Sequence, residues 1–416
     1  MATKHLAAAV NRRDFISRAL GVAAVTSLTG SVGNCAEEKP QEPKPVELSR
    51  KIKLGVIGNG GRGGWITGLF KNHGGYEIHA VADYFQEVAD ACGDAHGVDK
   101  ARRFSGLSGY KKLIESGVEA VVLETPPYFM PEHAKAAVDA GLHVYMAKPV
   151  AVDVPGAMQI LAAGKLAGEK KRVFLVDYQL PTDPVNIEVR DRIKNGGIDK
   201  IVQVSTMGTC NGFGDPQKTT NIESRLRGLV WVNDVALGCD LIGNYDIHAI
   251  DAALWILGER PVVAMGSSKI CRPDPHGDAR DVCSVVYEYA SGIVHNHYGQ
   301  ALANGTDPDL SCRIHGLNAN ATVHYYSKSF LRGGPKHFGG GQVVNLYGAG
   351  VERNIASFYK NVMENKFENE TLQRAVDGVL TCILGREAAS RKCRLTMDEL
   401  IKENKRLEVD LSGLRA

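Results

Sequence analysis

The run KIKLGVIGNGGRG at residues 51–63 constrains the fold most. Lys51 to Ile57 is short and aliphatic, the pattern of a buried strand. It leads directly into Gly58-Asn59-Gly60-Gly61-Arg62-Gly63, and a helix-compatible stretch from Gly64 to Asn72 follows. Gly58 allows a tight turn, Gly60 lets the backbone approach a pyrophosphate, and Gly63 lets helix and strand pack closely. The helix N-terminus then faces the negative charge. Glycine-rich turns are common, so the next features carry weight. A second strand, Tyr76 to Ala82, ends at Asp83, twenty residues after Gly63. A carboxylate there accepts hydrogen bonds from both ribose hydroxyls of an adenosine and repels a 2′-phosphate. Tyr84 follows where a cation would favour a phosphorylated ribose, so the expected cofactor is NAD.

The alternation continues. Val118 to Glu124 reads as a strand ending at Thr125-Pro126-Pro127, Pro131 to Ala140 as a helix, and His143 to Met146 as a strand stopping at Ala147-Lys148-Pro149. Proline cannot continue the hydrogen-bond ladder, so Lys148 sits at a carboxyl strand end, where open α/β sheets gather ligands. A helix from Pro155 to Lys170 and a strand from Val173 to Tyr178 complete the pattern. Residues 51–175 are therefore expected to form a Rossmann dinucleotide-binding domain.

From Ile201 the pattern changes. Ile201–Thr206, Val262–Ser267, Val282–Tyr289, Ile293–Tyr298, Cys312–His315 and Thr322–Tyr326 are short strands. They predict an α+β domain over 176–416 with an open antiparallel sheet and a hairpin turn at Ala290-Ser291-Gly292. Met207 to Trp231 and Leu331 to Gly350 read as long irregular insertions, candidates for binding loops, with Trp231 expected at the substrate. Asn354–Asn365 and Gln373–Arg391 are amphipathic helix patterns.

The segment from Gly238 to Gly258 is the richest in chemistry. From Asn244 it reads as a helix with an apolar stripe at Ile247, Ile250, Leu254 and Leu257. Asn244, His248 and Asp251 fall on another face, where Asp251 can orient His248 and Asn244 can hold a hydroxyl. Histidine suits proton transfer because its ordinary pKa lies near working pH. On spacing alone, a partly buried helix with a satisfied histidine fits equally well. His295 and His297 alternate on one strand and read as polar strand positions; no metal is expected.

A chain of 416 residues implies two or three domains. Hydrophobic residues make up 44% and charged residues 23%, which excludes a disordered or fibrous chain. No apolar run reaches the ~20 residues of a spanning helix. The net charge is +2; Lys4, Arg12, Arg13 and Arg18 against Asp14 give the first 35 residues +3, which leaves −1 for the rest. No basic field for nucleic acid remains. Asn11-Arg12-Arg13-Asp14-Phe15-Ile16 precedes a modestly apolar stretch and resembles a twin-arginine export signal over 1–35. It is followed by a Glu/Lys/Pro-rich linker to residue 50. This predicts a periplasmic protein, with Cys35 a candidate lipid-anchor cysteine. The nine cysteines show no CxxC pair and read mostly as small buried residues.

The order GNGGRG, Asp83, Thr125-Pro126-Pro127 and AGLHVYMAKP resembles the Gfo/Idh/MocA family of nicotinamide-dependent oxidoreductases. The resemblance covers most of residues 51–300. It implies cofactor contacts from Gly58, Asn59, Gly60, Gly61, Arg62, Gly63, Asp83, Thr125, Pro126, Lys148 and Gln179. The family normally carries Glu-Lys-Pro where this chain has Ala147-Lys148-Pro149, so the lysine is kept and the glutamate is lost. Tyr178-Gln179 falls at the family's position for residues near nicotinamide and substrate. The family motif G-G-G-x-x-x-D-x-G-x-H-x-x-D aligns from Gly238 to Asp251. His248 matches, Asn244 stands at the aspartate, and Asp246 stands at a glycine and is expected to restore the carboxylate from there.

The resemblance implies hydride exchange between a carbohydrate CH–OH and nicotinamide, with Lys148 and His248 handling the proton and Tyr178, Trp231 and Asn244 at the substrate. It also implies a homo-oligomer formed through the open sheet. Export imposes one constraint: the periplasm offers no comparable pool of free NAD, so the cofactor is expected to travel with the protein and to be regenerated in place. Coupled sugar oxidation and reduction satisfies this. Redox-neutral glycoside hydrolysis, by transient oxidation, elimination, water addition and re-reduction, satisfies it too. A non-catalytic sugar-binding protein is the third alternative, which the lost glutamate and Asn244 allow.

Overall fold

The computed structural model describes residues 48–416. The Arg12-Arg13 pair, Cys35 and the linker up to residue 47 lie outside the described residues. Six strands form one sheet: β1 (Ile52–Ile57), β2 (Tyr76–Asp83), β3 (Arg103–Ser105), β4 (Ala120–Leu123), β5 (His143–Met146) and β6 (Phe174–Val176). Their spatial order is β3-β2-β1-β4-β5-β6, and every pair is parallel. The order reverses between β1 and β4, which opens a crevice at their carboxyl ends. The connecting helices are α1 (Gly61–His73), α2 (Gln86–His96), α3 (Gly109–Ile114), α4 (Met130–Asp139) and α5 (Val154–Glu169). Leu54, Val56, Val121, Val122 and Val144 are fully buried. A sheet covered on both faces reads as unbroken aliphatic runs, as these strands do.

The second sheet holds β7 (Ile201–Cys210), β8 (Val263–Lys269), β9 (Val282–Glu288), β10 (Val294–Ala301), β11 (Asp309–Gly316), β12 (Ala319–His324), β13 (Lys328–Gly333), β14 (Phe338–Gln342) and β15 (Leu395–Thr396). Its order is β14-β13-β12-β11-β7-β10-β9-β8-β15. The sheet is mixed rather than wholly antiparallel: β7 and β10 pair in parallel at its centre. The long crossover between them returns the chain in the same direction, which a hairpin cannot do. The β9–β10 hairpin closes at Gly292, where φ is +82°.

Helices α6 (Pro184–Arg192), α7 (Val235–Gly238), α8 (Asp240–Asn244), α9 (Ile247–Leu257), α10 (Leu346–Met363), α11 (Thr371–Arg391) and α12 (Met397–Glu403) complete the fold. One face of the mixed sheet packs on α9 and α11; Val204, Val285, Tyr287, Cys312 and Ile314 point there and are buried. α10 returns to the parallel sheet, where Phe358 meets Tyr145 edge to face and Tyr76 donates to Ile355 O. Two expectations about irregular segments change. Met207–Cys210 continue β7, and Leu331–Gly350 contain the end of β13, all of β14 and the first turn of α10. Glycine-dense sequence hid that hairpin. Five of the described cysteines are buried, whereas Cys271 and Cys393 are exposed. No helix among the described residues is long and apolar enough to cross a membrane.

Candidate active site

A cavity of about 660 Å³ runs from the carboxyl ends of β1, β2 and β4 to the edge of the mixed sheet. At one end lies the glycine turn. Gly58 has φ +90°, and a Cβ on Gly63 would lie 1.9 Å from Gly58 O, so both positions require glycine. A Cβ on Gly60 or Gly61 would meet nothing within 4 Å, so the turn presents bare backbone to open space. The N-terminus of α1 has no side-chain cap. Uncapped N–H groups beside a naked glycine backbone fit a pyrophosphate. Asp83 lines the same cavity and accepts from Asn59 N at 2.7 Å and Phe85 N at 3.0 Å. Burial raises its pKa, while those bonds and Arg227 oppose the rise. Thr125 and Pro126 line the wall beside β4. The Asn59 side chain does not line the cavity. It is buried with Nδ2 3.4 Å from Val56 O, so the residue acts through its backbone on Asp83.

Arg62 leaves the glycine turn and crosses to the other end. Its Nε lies 3.0 Å from Glu124 Oε2, and its Nη2 pairs with Asp177. Its guanidinium lies 5.5 Å from the Trp65 ring and 5.1 Å from the Tyr347 ring, which stack on each other. Glu124 and Asp177 were not singled out from the sequence; each ends a parallel strand, and that position was the available signal.

Lys148 stands at the end of β5, where its Nζ donates to Asn244 O. Burial, reinforced by Arg62, pushes Lys148 down to about 7, against the pull of Asp177 and Glu124. Burial pushes Glu124 up to about 7, with Arg62 opposing. His248 lines the cavity, its ring 5.1 Å from that of Tyr325. Burial holds its pKa well below the usual histidine range, and Nδ1 has no hydrogen-bond partner among the described residues. His248 is therefore a neutral imidazole at pH 7, and Lys148 is the group poised to exchange a proton. Gln179 lines the cavity too, donating to Asp177 O and accepting from Tyr325 at 3.1 Å.

Tyr178, Asp246 and Asp251 also face away from the cavity. Tyr178 does not line the cavity; its ring lies behind His248, 5.9 Å from the Arg374 guanidinium. Adjacent residues leaving a strand point to opposite sides, so Gln179 faces the cavity and Tyr178 turns away. Asn244 and His248 do not share one helix, because α8 ends at Asn244 and α9 starts at Ile247. Both still line the cavity. Asp251 pairs with Arg374 at 2.7 Å rather than orienting His248.

Asp246 is fully buried under the mixed sheet, 3.0 Å from His297 Nε2, so it does not restore a carboxylate at the substrate. Its carboxylate fills a notch made by Gly208 and Gly299, register partners on β7 and β10. Cβ atoms there would lie 2.0 and 2.1 Å from its two oxygens. Cys283 joins the trio, whose polar atoms lie within 4.8 Å of one another. Thr206 links His295 and His297 at 2.6 and 2.9 Å, so both histidines are buried network members.

Trp231 lines the cavity together with Phe213, Tyr245, Tyr326 and Tyr347. Tyr245 and Tyr326 meet through their hydroxyls at 3.2 Å. This aromatic wall had no sequence motif, because its members come from separate elements.

Residues 52–178 match the oxidoreductase family with an NAD-binding Rossmann fold, and residues 187–322 match the GFO/IDH/MocA C-terminal domain. An inositol 2-dehydrogenase of Rhizobium meliloti is 24% identical over 243 residues, 58% of this chain and 66% of that protein. An inositol dehydrogenase homologue from Azotobacter vinelandii, solved with NAD+, shares the fold at TM-score 0.70 and 19% identity, over 84% of this chain and 98% of that one. An aldose-aldose oxidoreductase from Caulobacter crescentus, solved with glycerol, matches at TM-score 0.66 and 19% identity, over 83% of this chain and 100% of that one. The chain belongs to the Gfo/Idh/MocA oxidoreductase family, with an NAD-binding Rossmann domain followed by the family's C-terminal domain.

Proposed function

We propose that the protein is an NAD-dependent oxidoreductase acting on a CH–OH group of a sugar, polyol or glycoside, with a retained cofactor recycled in the site. The observation that carries this is Lys148, pushed to about 7 beside His248 and Gln179 in the cavity that begins at the glycine turn. Gly58, Gly60, Gly61 and Gly63 would hold the pyrophosphate of NAD, and Asp83 its adenosine ribose. NAD supplies a two-electron acceptor for a carbinol carbon. Neutral Lys148 accepts the hydroxyl proton, and its bond to Asn244 O fixes its direction. His248, kept neutral by burial, offers a hydrogen bond rather than a charge. Trp231, Tyr245 and Tyr326 give an apolar face for a sugar ring.

The relatives' names point the same way: inositol is a polyol, and an aldose-aldose oxidoreductase handles two sugars. Redox-neutral glycoside hydrolysis is the second reading. Glu124 favours it, since a carboxyl raised to about 7, with one oxygen unpartnered among the described residues, adds a second proton-exchanging group near Lys148. Elimination and water addition need both an acid and a base. Export through the Arg12-Arg13 signal, with or without a lipid at Cys35, belongs to the same proposal.

The test is turnover by NAD-loaded protein without added nucleotide. Oxidation of one sugar with reduction of a second is expected; release of aglycone from a glycoside alone selects the second reading. Lys148→Ala should abolish either activity, and sugar binding with no turnover of any kind would leave a binding protein.

A further inference from the structure

We propose that residues Leu226–Leu229, backed by the C-terminal residues Gly413–Ala416, form a clamp over the adenosine half of NAD and hold it between turnovers. This rests on the reading of the cavity as an NAD site.

The clamp meets the turn after β2, just beyond Asp83. From the segment that follows β7, the Arg227 guanidinium lies 3.6 Å from the Phe85 ring centroid and pairs with Glu87 in the first turn of α2. Tyr84 donates to Glu223 at 2.8 Å. From the other side, Arg415 N donates to the Tyr84 hydroxyl at 3.1 Å, and Leu107 N donates to Arg415 O at 3.0 Å. A Cβ on Gly106, where φ is +85°, would lie 2.2 Å from Ala416 O. Arg415 and Ala416 are thus fitted against this turn.

Leu226, Arg227, Gly228 and Leu229 line the cavity together with Phe85, Val88 and Leu107. These residues make an apolar slot with a guanidinium at its lip, which suits the flat face of an adenine. Leu229 is 46% exposed with φ +65°, an unfavourable backbone state for leucine. The segment is tethered near its ends: Asn233 Nδ2 donates to Phe213 O and Gly214 O, each at 3.0 Å, and Arg225 pairs with Asp234 at 2.6 Å. Its middle is held by weaker means. The Arg227–Glu87 pair is half exposed, and solvent screening leaves such pairs weak. The middle can therefore lift while the tethers hold, which slows cofactor exchange without forbidding it. Arg227 and Arg415 bring cations to the ribose end from distant parts of the chain, but both are bonded to protein groups: Arg227 to Glu87, Arg415 to Tyr84 O. Asp83 keeps the site suited to an unphosphorylated ribose.

The experiment loads the full chain with NADH, chases with excess NAD and follows the loss of bound-NADH fluorescence. A Glu87→Gln/Glu223→Gln double variant and a chain ending at Ser412 are compared with the wild type. Each should release NADH about tenfold faster. Release within twofold of wild type in both overturns the clamp. Hydrogen exchange of residues 223–229 in the wild type gives an independent reading: slower exchange with NADH bound is expected, and equal exchange with and without it overturns the proposal. If the wild type binds no NADH, the cavity reading falls and the clamp with it; if it binds and the variants release normally, the clamp alone falls.

Discussion

Lys148, Arg62, Glu124 and Asp177 act as one electrostatic unit. Two partly buried cations meet two buried carboxylates beyond the strand ends, and burial works against the charges of Lys148 and Glu124. The arrangement leaves Lys148 near neutrality. In the oxidation direction the rate should therefore rise with pH through about 7, as Lys148 loses its proton. The reverse reduction should fall over the same range. Arg62→Gln removes a charge that holds Lys148 down and leaves Glu124 and Asp177 unpaired, which holds Lys148 up. The midpoint of the pH–rate profile should move upward and the rate at pH 7 should drop; an unchanged midpoint would show that Arg62 does not set it. The glycine turn, Asp83 and Lys148 were legible in the sequence because short-range spacing encodes them. Glu124 and Asp177 were not, because nothing local announces an ion pair with a residue in another loop.

At the scale of elements, the turn between α8 and α9 is the informative feature. Period counting carried one helix from Asn244 through Asp251, since neither Tyr245 nor Asp246 is a helix breaker. The break is tertiary: Asp246 turns into the notch above Gly208 and Gly299 and bonds His297. That anchor places Asn244 O against Lys148 on one side and His248 at the cavity on the other. Gly299→Ala should displace the carboxylate and cost ~1–3 kcal/mol in denaturant unfolding. Asp246→Ala should cost ~1–3 kcal/mol, because it leaves the buried His297 Nε2 without its partner. His248→Ala leaves the anchor intact and should lose turnover with little loss of stability. Equal stability of Gly299→Ala and wild type would show that the notch is not close-fitting.

At the scale of the molecule, one face of the mixed sheet is left uncovered by the described residues. Met265, Val294 and Tyr298 are exposed on it, with Met207 and Val286 half-buried between them. A second copy of the chain is the proposed cover, consistent with the oligomer expected from the sequence. Light scattering should give a multiple of the 44.9 kDa chain mass, and Val294→Lys/Tyr298→Lys should reduce it to a monomer. A monomeric wild type would contradict this. The two-sheet architecture was legible because aliphatic runs and alternating strands differ in pattern. The parallel β7–β10 pair was not, since pairing partners across a long crossover leave no local trace. The clamp at the adenosine end was equally hidden, as its parts lie about 140 and 330 residues from the turn they grip.

The most direct test of the account is a single-turnover absorbance measurement at 340 nm on NAD-loaded protein mixed with sugars and polyols, in wild type and Lys148→Ala. A rise at 340 nm in wild type, with a rate that increases through about pH 7 and falls ~100-fold or more in Lys148→Ala, is the predicted result. No rise with any carbohydrate, or an equal rise in Lys148→Ala, would contradict it.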